Sequence, residues 1–542
     1  MRWAWLVAVL SVHAAESGYV DPAACRPCHT QIFDSYRKTG MGRSFAKAAD
    51  IPRLAEFLHR PSERYYSVVE RSDGTYLRRS QATAANIIEK RIDYVIGSGN
   101  HSKTFLHRDQ RGQLIELPVS WYSERGGYWA MSPGYDRPDH SDFRREVTDS
   151  CLFCHNGYPS EANGGLASGI DCQRCHGPGE AHVNGSGRIV NPAGLSPERQ
   201  IEICAQCHLE SSSRTLPDAI RRFGRGPFSY RPGEPLGDFI LYFEFVKSAP
   251  ADRITVNNSA YGLMRSKCFL RSAGKLKCTM CHDPHGDTAN YVQACRGCHQ
   301  ASHQASTRDC TNCHMQKRRT EDAVHVVMTD HLIRARPLPG DLLAPLEERH
   351  DRLTGPAKLL YPNQAPGTAL YLAMANASAP DLEKAIAGAR PTDAEPFFAL
   401  GEAYRLSGQA EQAAQAYRQA ITLNPKDQRS YSALSALLVS RGDLDGAIAL
   451  LEPAIERIPQ QPSLLNSLAV VYSRKQRFDD ALRLLSDAVR VNPDEPLSWL
   501  NLGVSLEARN DRKGAAAAYR QALLLQPDLA RAREYLGRVL KH

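Results

Sequence analysis

The pattern Cys-x-x-Cys-His occurs seven times in this chain, and no other feature restricts its folding so tightly. The copies are Cys25-Cys28-His29, Cys151-Cys154-His155, Cys172-Cys175-His176, Cys204-Cys207-His208, Cys278-Cys281-His282, Cys295-Cys298-His299 and Cys310-Cys313-His314. They use fourteen of the fifteen cysteines and leave only Cys268. A Cys-rich exported chain ordinarily forms disulfides. Here each cysteine has its neighbour three positions away and a histidine next to the second, which is the layout of an attachment unit rather than of a cross-link.

Two thiols at that spacing can add to the vinyl groups of a porphyrin, and the adjacent imidazole then reaches the iron as its proximal ligand. Zinc ribbons need paired Cys-x-x-Cys knuckles without a following histidine, and thioredoxin-like sites occur singly in a βαβ setting. Seven histidine-terminated copies favour about seven covalently bound haem c groups. Six of them fall between residues 151 and 314, so their haems are expected to be near neighbours and to pass electrons between ring edges. Cys268 reads as a small buried hydrophobe.

Whether such haems carry electrons or act on a substrate depends on the opposite face of each iron, because two protein ligands leave no vacant position. Outside the motifs, the region offers His59, His101, His107, His140, His182, His285, His303, His325 and His331. His325 and His331 follow the last motif and are candidate ligands returning to the cluster; His101 and His140 are further candidates.

The remaining sequence divides around this region. Arg2, the apolar run Trp3 to Val12, and Ala14 and Ala15 have the form of a signal peptide over residues 1–15, too short to span a bilayer. Export to the periplasm or beyond is expected, with no membrane-spanning segment in the mature chain. Residues 16–345 form the expected cytochrome domain, interrupted at about 60–145 by a small β-rich insertion. Its signals are the runs Tyr65 to Val69, Tyr76 to Arg79 and Leu114 to Tyr122, with a turn at Asp73-Gly74. Trp121-Tyr122 and Tyr128-Trp129 either pack this insertion or shield a haem edge.

Residues 346–390 lack cysteine and read as a connector with degenerate helices. From 391 to 542 a period of 34 takes over: Pro425, Pro459, Pro493 and Pro527 keep it, as do Ala413, Ala447, Ala481 and Ala515, and Ala420, Ala454, Ala488 and Ala522. Small residues at helix crossings and Pro after the second helix are the tetratricopeptide pattern, here four repeats with a capping helix. Such an array docks a peptide or protein, or else only stabilises and spaces its neighbour.

The net charge of +8 does not call for nucleic acid. Residues 391–542 hold 19 Lys and Arg against 18 Asp and Glu, leaving +7 on residues 1–390. Seven haems with two propionates each would add roughly −7 when oxidised and −14 when reduced, which this surplus offsets. The arginines from Arg221 to Arg231 are read as propionate partners.

Over residues 20 to 335 the chain resembles the cytochrome c-554 family, multihaem electron carriers of nitrogen metabolism that share haem-packing motifs with hydroxylamine oxidoreductase. The likeness rests on Cys25-x-x-Cys28-His29 with a following helix, on Cys172-Gln-Arg-Cys175-His176-Gly-Pro-Gly-Glu-Ala-His182 and on Cys278-Thr-Met-Cys281-His282-Asp-Pro-His285. It implies distal ligation by His182 and His285. After the first motif the family has an aromatic, a hydroxyl residue and then His, where this chain reads Tyr36-Arg-Lys-Thr39-Gly-Met41. Met41 is therefore a candidate thioether ligand of the first haem, against an ordinary core methionine. No Cys-x-x-Cys-Lys variant occurs, so the lysine-ligated haem of pentahaem nitrite reductases finds no support.

The expected fold is thus mainly α: a loop-rich multihaem domain with a small β insertion, followed by an α-solenoid. The expected function is electron transfer between redox partner proteins, one of them held by the repeats. The alternative is a multihaem oxidoreductase acting on a small nitrogen or sulfur species at a five-coordinate haem.

Overall fold

The computed structural model describes residues 18–81, 86–159, 166–209, 219–245, 253–286, 291–299, 309–348 and 355–541. The expected signal peptide and His303 lie outside the described residues.

Strand content in the N-terminal half exceeds the small insertion expected. A four-stranded antiparallel sheet is built from Phe57–His59, Arg64–Arg71, Gly74–Gln81 and Ile88–Arg91. Arg71 pairs with Gly74, so Ser72 and Asp73 form a two-residue turn that fixes the register of the hairpin. A six-stranded sheet follows the path Phe45–Lys47, Tyr94–Ile96, Ser102–Arg108, Leu114–Tyr122, Arg145–Glu146, with Tyr128–Met131 also on Leu114–Tyr122. Tyr66, Leu77, Phe105, Leu117, Val119 and Tyr135 share one core between these strands. Trp121 lies opposite Trp129 and Tyr122 opposite Tyr128, so the four aromatics pack the sheet itself.

The motif-bearing segments contribute short helices and little sheet. Among them, Asp149–His155, Gln173–His176, Pro197–His208 and Thr311–His314 all end on their motif histidine. Pro197–His208 is the longest; Ser196 caps it by accepting the amide of Arg199, and Pro197 occupies its first turn.

The segment expected to be a connector is instead part of both halves. Ala357–Tyr361 pairs with Ile240–Phe245, which pairs with Ala219–Arg221. Helices Thr368–Asn376 and Ala379–Ala389 then precede the four repeat pairs as an additional pair. Leu241, Phe243 and Phe245 from this sheet belong to the same core as Tyr371, Leu382 and the repeat interior up to Ala488. Phe223 stacks on Tyr371 at 4.5 Å, and Arg222 covers the same ring while donating to the carbonyls of Gly237 and Pro366.

The repeats are the helix pairs Glu395–Leu406 with Ala410–Leu423, Gln428–Ser440 with Leu444–Arg457, Pro462–Arg474 with Phe478–Val491, and Pro496–Ala508 with Arg512–Leu525, closed by Ala530–Lys541. The eight periodic alanines are all fully buried, since a larger side chain at each crossing would part the helices. Gly401 sits where a Cβ would come 2.5 Å from the ring of Tyr417.

The far end of the solenoid returns to the β region. Arg79 donates to the carbonyl of Leu524 at 2.6 Å, Lys90 pairs with Asp494 at 2.5 Å, Arg144 donates to Gln526 at 3.0 Å, and Arg64 lies 3.7 Å from Asp528. The array is therefore held at both ends.

Candidate functional site

Each motif is one helical turn. The amide of the motif histidine donates to the carbonyl of its first cysteine at His29, His176, His282, His299 and His314, over 2.9–3.1 Å. Positions i, i+3 and i+4 of a turn share one face, so two thiols and an imidazole point the same way.

These faces converge on one cavity of about 2990 Å³, well beyond the few hundred to about 1,000 Å³ of an ordinary small-molecule pocket. The cysteines and histidine of six motifs line it, and the second motif adds Cys154. Motifs lie beside one another, with Cys25 close enough to Cys172, Cys204 to Cys278 and Cys295 to Cys310 for each thiol to influence the other. Lys267, Arg271, Lys275, Lys277, Arg296 and Arg334 stand on the same wall.

Three motif histidines each face a histidine from outside the motifs. His29 and His182 have ring centres 6.3 Å apart with planes 22° apart, His176 and His285 are at 5.9 Å and 13°, and His282 and His331 at 6.1 Å and 25°. Two metal–imidazole bonds of about 2 Å and two ring radii of about 1 Å add up to about 6 Å, the width of one metal ion between two imidazoles. The spacing fits an iron held from both sides. Among the described residues, no three His, Cys, Asp or Glu side chains converge as around a tetrahedral zinc.

The orientation of these rings is set from behind. Nδ1 of His176 donates to the carbonyl of Val190 at 2.9 Å, that of His314 to Arg334 at 2.6 Å and that of His331 to Thr329 at 3.0 Å. A ring that donates through Nδ1 presents Nε2 as the free lone pair, as metal-bound histidines do. Burial lowers the pKa of His101, His176, His208, His282 and His331, and takes His155 down to about 4, so the imidazoles stay neutral and able to ligate.

Of the distal candidates, His182, His285, His331, His101 and Met41 line the cavity. His182 faces His29, whose iron is the one expected to take Met41. The Met41 carbonyl accepts from Ile170, and Ser44 Oγ bridges the carbonyls of Met41 and His155, which puts Met41 beside the second motif.

His140 and His325 do not reach the cavity, contrary to the expectation for them. His140 is buried in the β region, with Arg64 Nη1 3.0 Å from Nε2, Tyr66 beside it, and a pKa driven down to about 3 chiefly by burial. His325 packs on the rings of Tyr122 and Tyr128. His59 and His107 likewise serve the sheets, through Asp136 and Asp93. The arginines of residues 221–231 are also redirected: Arg225 clamps Glu234, and Arg222 fastens the repeats. Gly262 has no distinguishing sequence context, yet a Cβ there would meet the amide of Leu332 at 2.9 Å, so the glycine admits the segment that carries His331.

Three family models described as tetratricopeptide repeat match residues 394–427, 438–503 and 497–529. No curated protein matches the chain. Among solved structures, YrrB, described as a tetratricopeptide protein with an unusual peptide-binding site, is similar at 18% identity and a TM-score of 0.26, over 29% of this chain and 80% of that one. A thermophilic tetratricopeptide protein of Thermus thermophilus gives 21%, 0.27, 32% and 96% for the same measures, and MamA of Desulfovibrio magneticus gives 19%, 0.25, 28% and 85%. The C-terminal region of the chain is an array of tetratricopeptide repeats, a kind of module that points to protein–protein interaction.

Proposed function

We propose that the chain is an exported multihaem c-type cytochrome that passes electrons between protein partners, one of which docks on the repeat array. The reading is carried by the three places where a motif histidine faces a second histidine across 5.9–6.3 Å. The paired thiols of each motif would hold a porphyrin by its vinyl groups, and a bound haem supplies a one-electron couple. His182, His285 and His331 would close the irons carried by His29, His176 and His282. His101 and Met41 stand on the same wall for further irons. Histidines on both sides of an iron exclude substrate and leave electron transfer as its role. The cysteines of motifs one and three, four and five, and six and seven stand beside one another and would hold their haems as near neighbours.

Intact mass and the visible spectrum of the protein, produced in a host that attaches haem c, test this directly. About seven covalent haems are expected, with the three irons that face two histidines silent to carbon monoxide in the dithionite-reduced state; a haem-free chain overturns the proposal. Strong carbon monoxide binding would move the function to an oxidoreductase with an open iron. Recovery of the mature chain from the periplasm, beginning near residue 16, tests export.

A further inference from the structure

We propose that Arg174 raises the reduction potentials of the haems held by the second, third and fourth motifs. The inference rests on the haem reading above.

Arg174 lies inside the third motif, between Cys172 and Cys175, and is only 1% exposed. Three motifs meet at this one residue. Its Nη2 donates to the carbonyl of Phe153, inside the second motif, at 2.8 Å. Its own carbonyl accepts from Gln206, inside the fourth motif, at 3.2 Å. The thiols of Cys154 and Cys207, one from each neighbour, are within its electrostatic reach. The guanidinium is gripped by aromatic rings, with Phe153 at 4.2 Å, Tyr158 at 5.1 Å and Phe228 at 5.4 Å.

What sets this arginine apart is how little of its charge is answered. Nε and Nη1 are buried and find no hydrogen-bond partner among the described residues. The buried carboxylate of Asp171 attracts it without forming an ion pair among the described residues, and is itself engaged by the backbone amides of Tyr158, Gln173 and Arg174. A guanidinium cannot shed its proton, so the cost of burying it is not relieved by neutralisation. Natural cores seldom keep such a group unless it acts on something.

A ferric porphyrin core carries one more positive charge than a ferrous one. A fixed cation beside it in a low-dielectric interior therefore disfavours the oxidised form and raises the potential. Arg174 acts here as a positioning charge, touching no substrate.

The test is a redox titration of the holoprotein with Arg174→Met and Arg174→Lys, with haem content fixed by intact mass. Methionine keeps the reach and the ring packing without the charge, whereas lysine keeps the charge. At least one midpoint potential should fall in the Met variant and stay near wild type in the Lys variant. A fully loaded Met variant with every potential unmoved overturns the proposal, as does an equal fall in both variants, which would trace the effect to packing. Should the Met variant not load its haems, Arg174→Gln takes its place under the same criteria. A wild-type chain that carries no haem overturns the reading of the site instead, so the two failures are distinct.

Discussion

His176 and His285 lie 5.9 Å apart, centre to centre, with planes within 13° of each other, although 109 positions separate them in the chain. The loop that carries His285 is held by Ser35, whose hydroxyl donates to the His285 carbonyl at 2.8 Å. Replacing His285 by Ala should therefore open one iron and no other. The dithionite-reduced variant is expected to bind carbon monoxide at one additional haem, read from the difference spectrum; a spectrum identical to wild type would show that His285 ligates nothing.

Gly262 gives a second handle on ligation from behind the ligand. A methyl group there would press on the backbone at 331–332 and push His331 away from His282. Gly262→Ala is expected to give the same gain of carbon monoxide binding as His331→Ala, together with about 1–3 kcal/mol of destabilisation from overpacking. Spectra and thermal melts of the two variants, measured side by side, check this.

Arg79 is fully buried against Asp142 at 2.7 Å and also reaches Leu524. Arg79→Leu leaves Asp142 without its closest partner and removes one of the contacts that hold the far end of the solenoid. A loss of about 3–5 kcal/mol is expected, the usual cost of orphaning one member of a buried pair. Limited proteolysis should also cut earlier near residue 526 in this variant. Unchanged denaturation and cleavage would mean that the contact holds nothing.

The carboxyl of Glu116, on the strand Leu114–Tyr122, is pushed up to about 7 by burial, with Arg145 working against the shift and Glu348 adding to it. A carboxyl raised in the folded state contributes stability that is fully present below its unfolded value of about 4.5 and is lost as pH rises through about 7. Glu116→Gln should flatten this part of the stability–pH profile between about 4.5 and 7 and make the protein relatively more stable at pH 8. Urea denaturation at several pH values decides it, and parallel profiles would refute the assignment.

Features written in local spacing are legible without the structure. The one-turn motifs need only i, i+3 and i+4, and the repeats need only small residues every 34 positions, so both can be read directly. His140 and His325 are misplaced by sequence reasoning because a histidine's partner is set by tertiary packing. A usable signal exists: the alternation of Arg64–Arg71 and Gly74–Gln81 turns Arg64 and Arg79 inward, and two buried arginines demand polar company such as His140 and Asp142. The strand Ala357–Tyr361 reads as part of a connector because its partner lies more than a hundred residues upstream, and pairing at that range leaves no periodic trace. Arg174 is invisible for the same reason, since nothing in Cys-Gln-Arg-Cys-His tells whether the arginine faces water or rings.

The contact between Arg79 and Leu524 joins positions 445 residues apart. The β region therefore lacks one of its partners until the last repeat is in place, and a chain cut short before residue 524 would leave the Arg79 guanidinium to Asp142 and Asn86 alone.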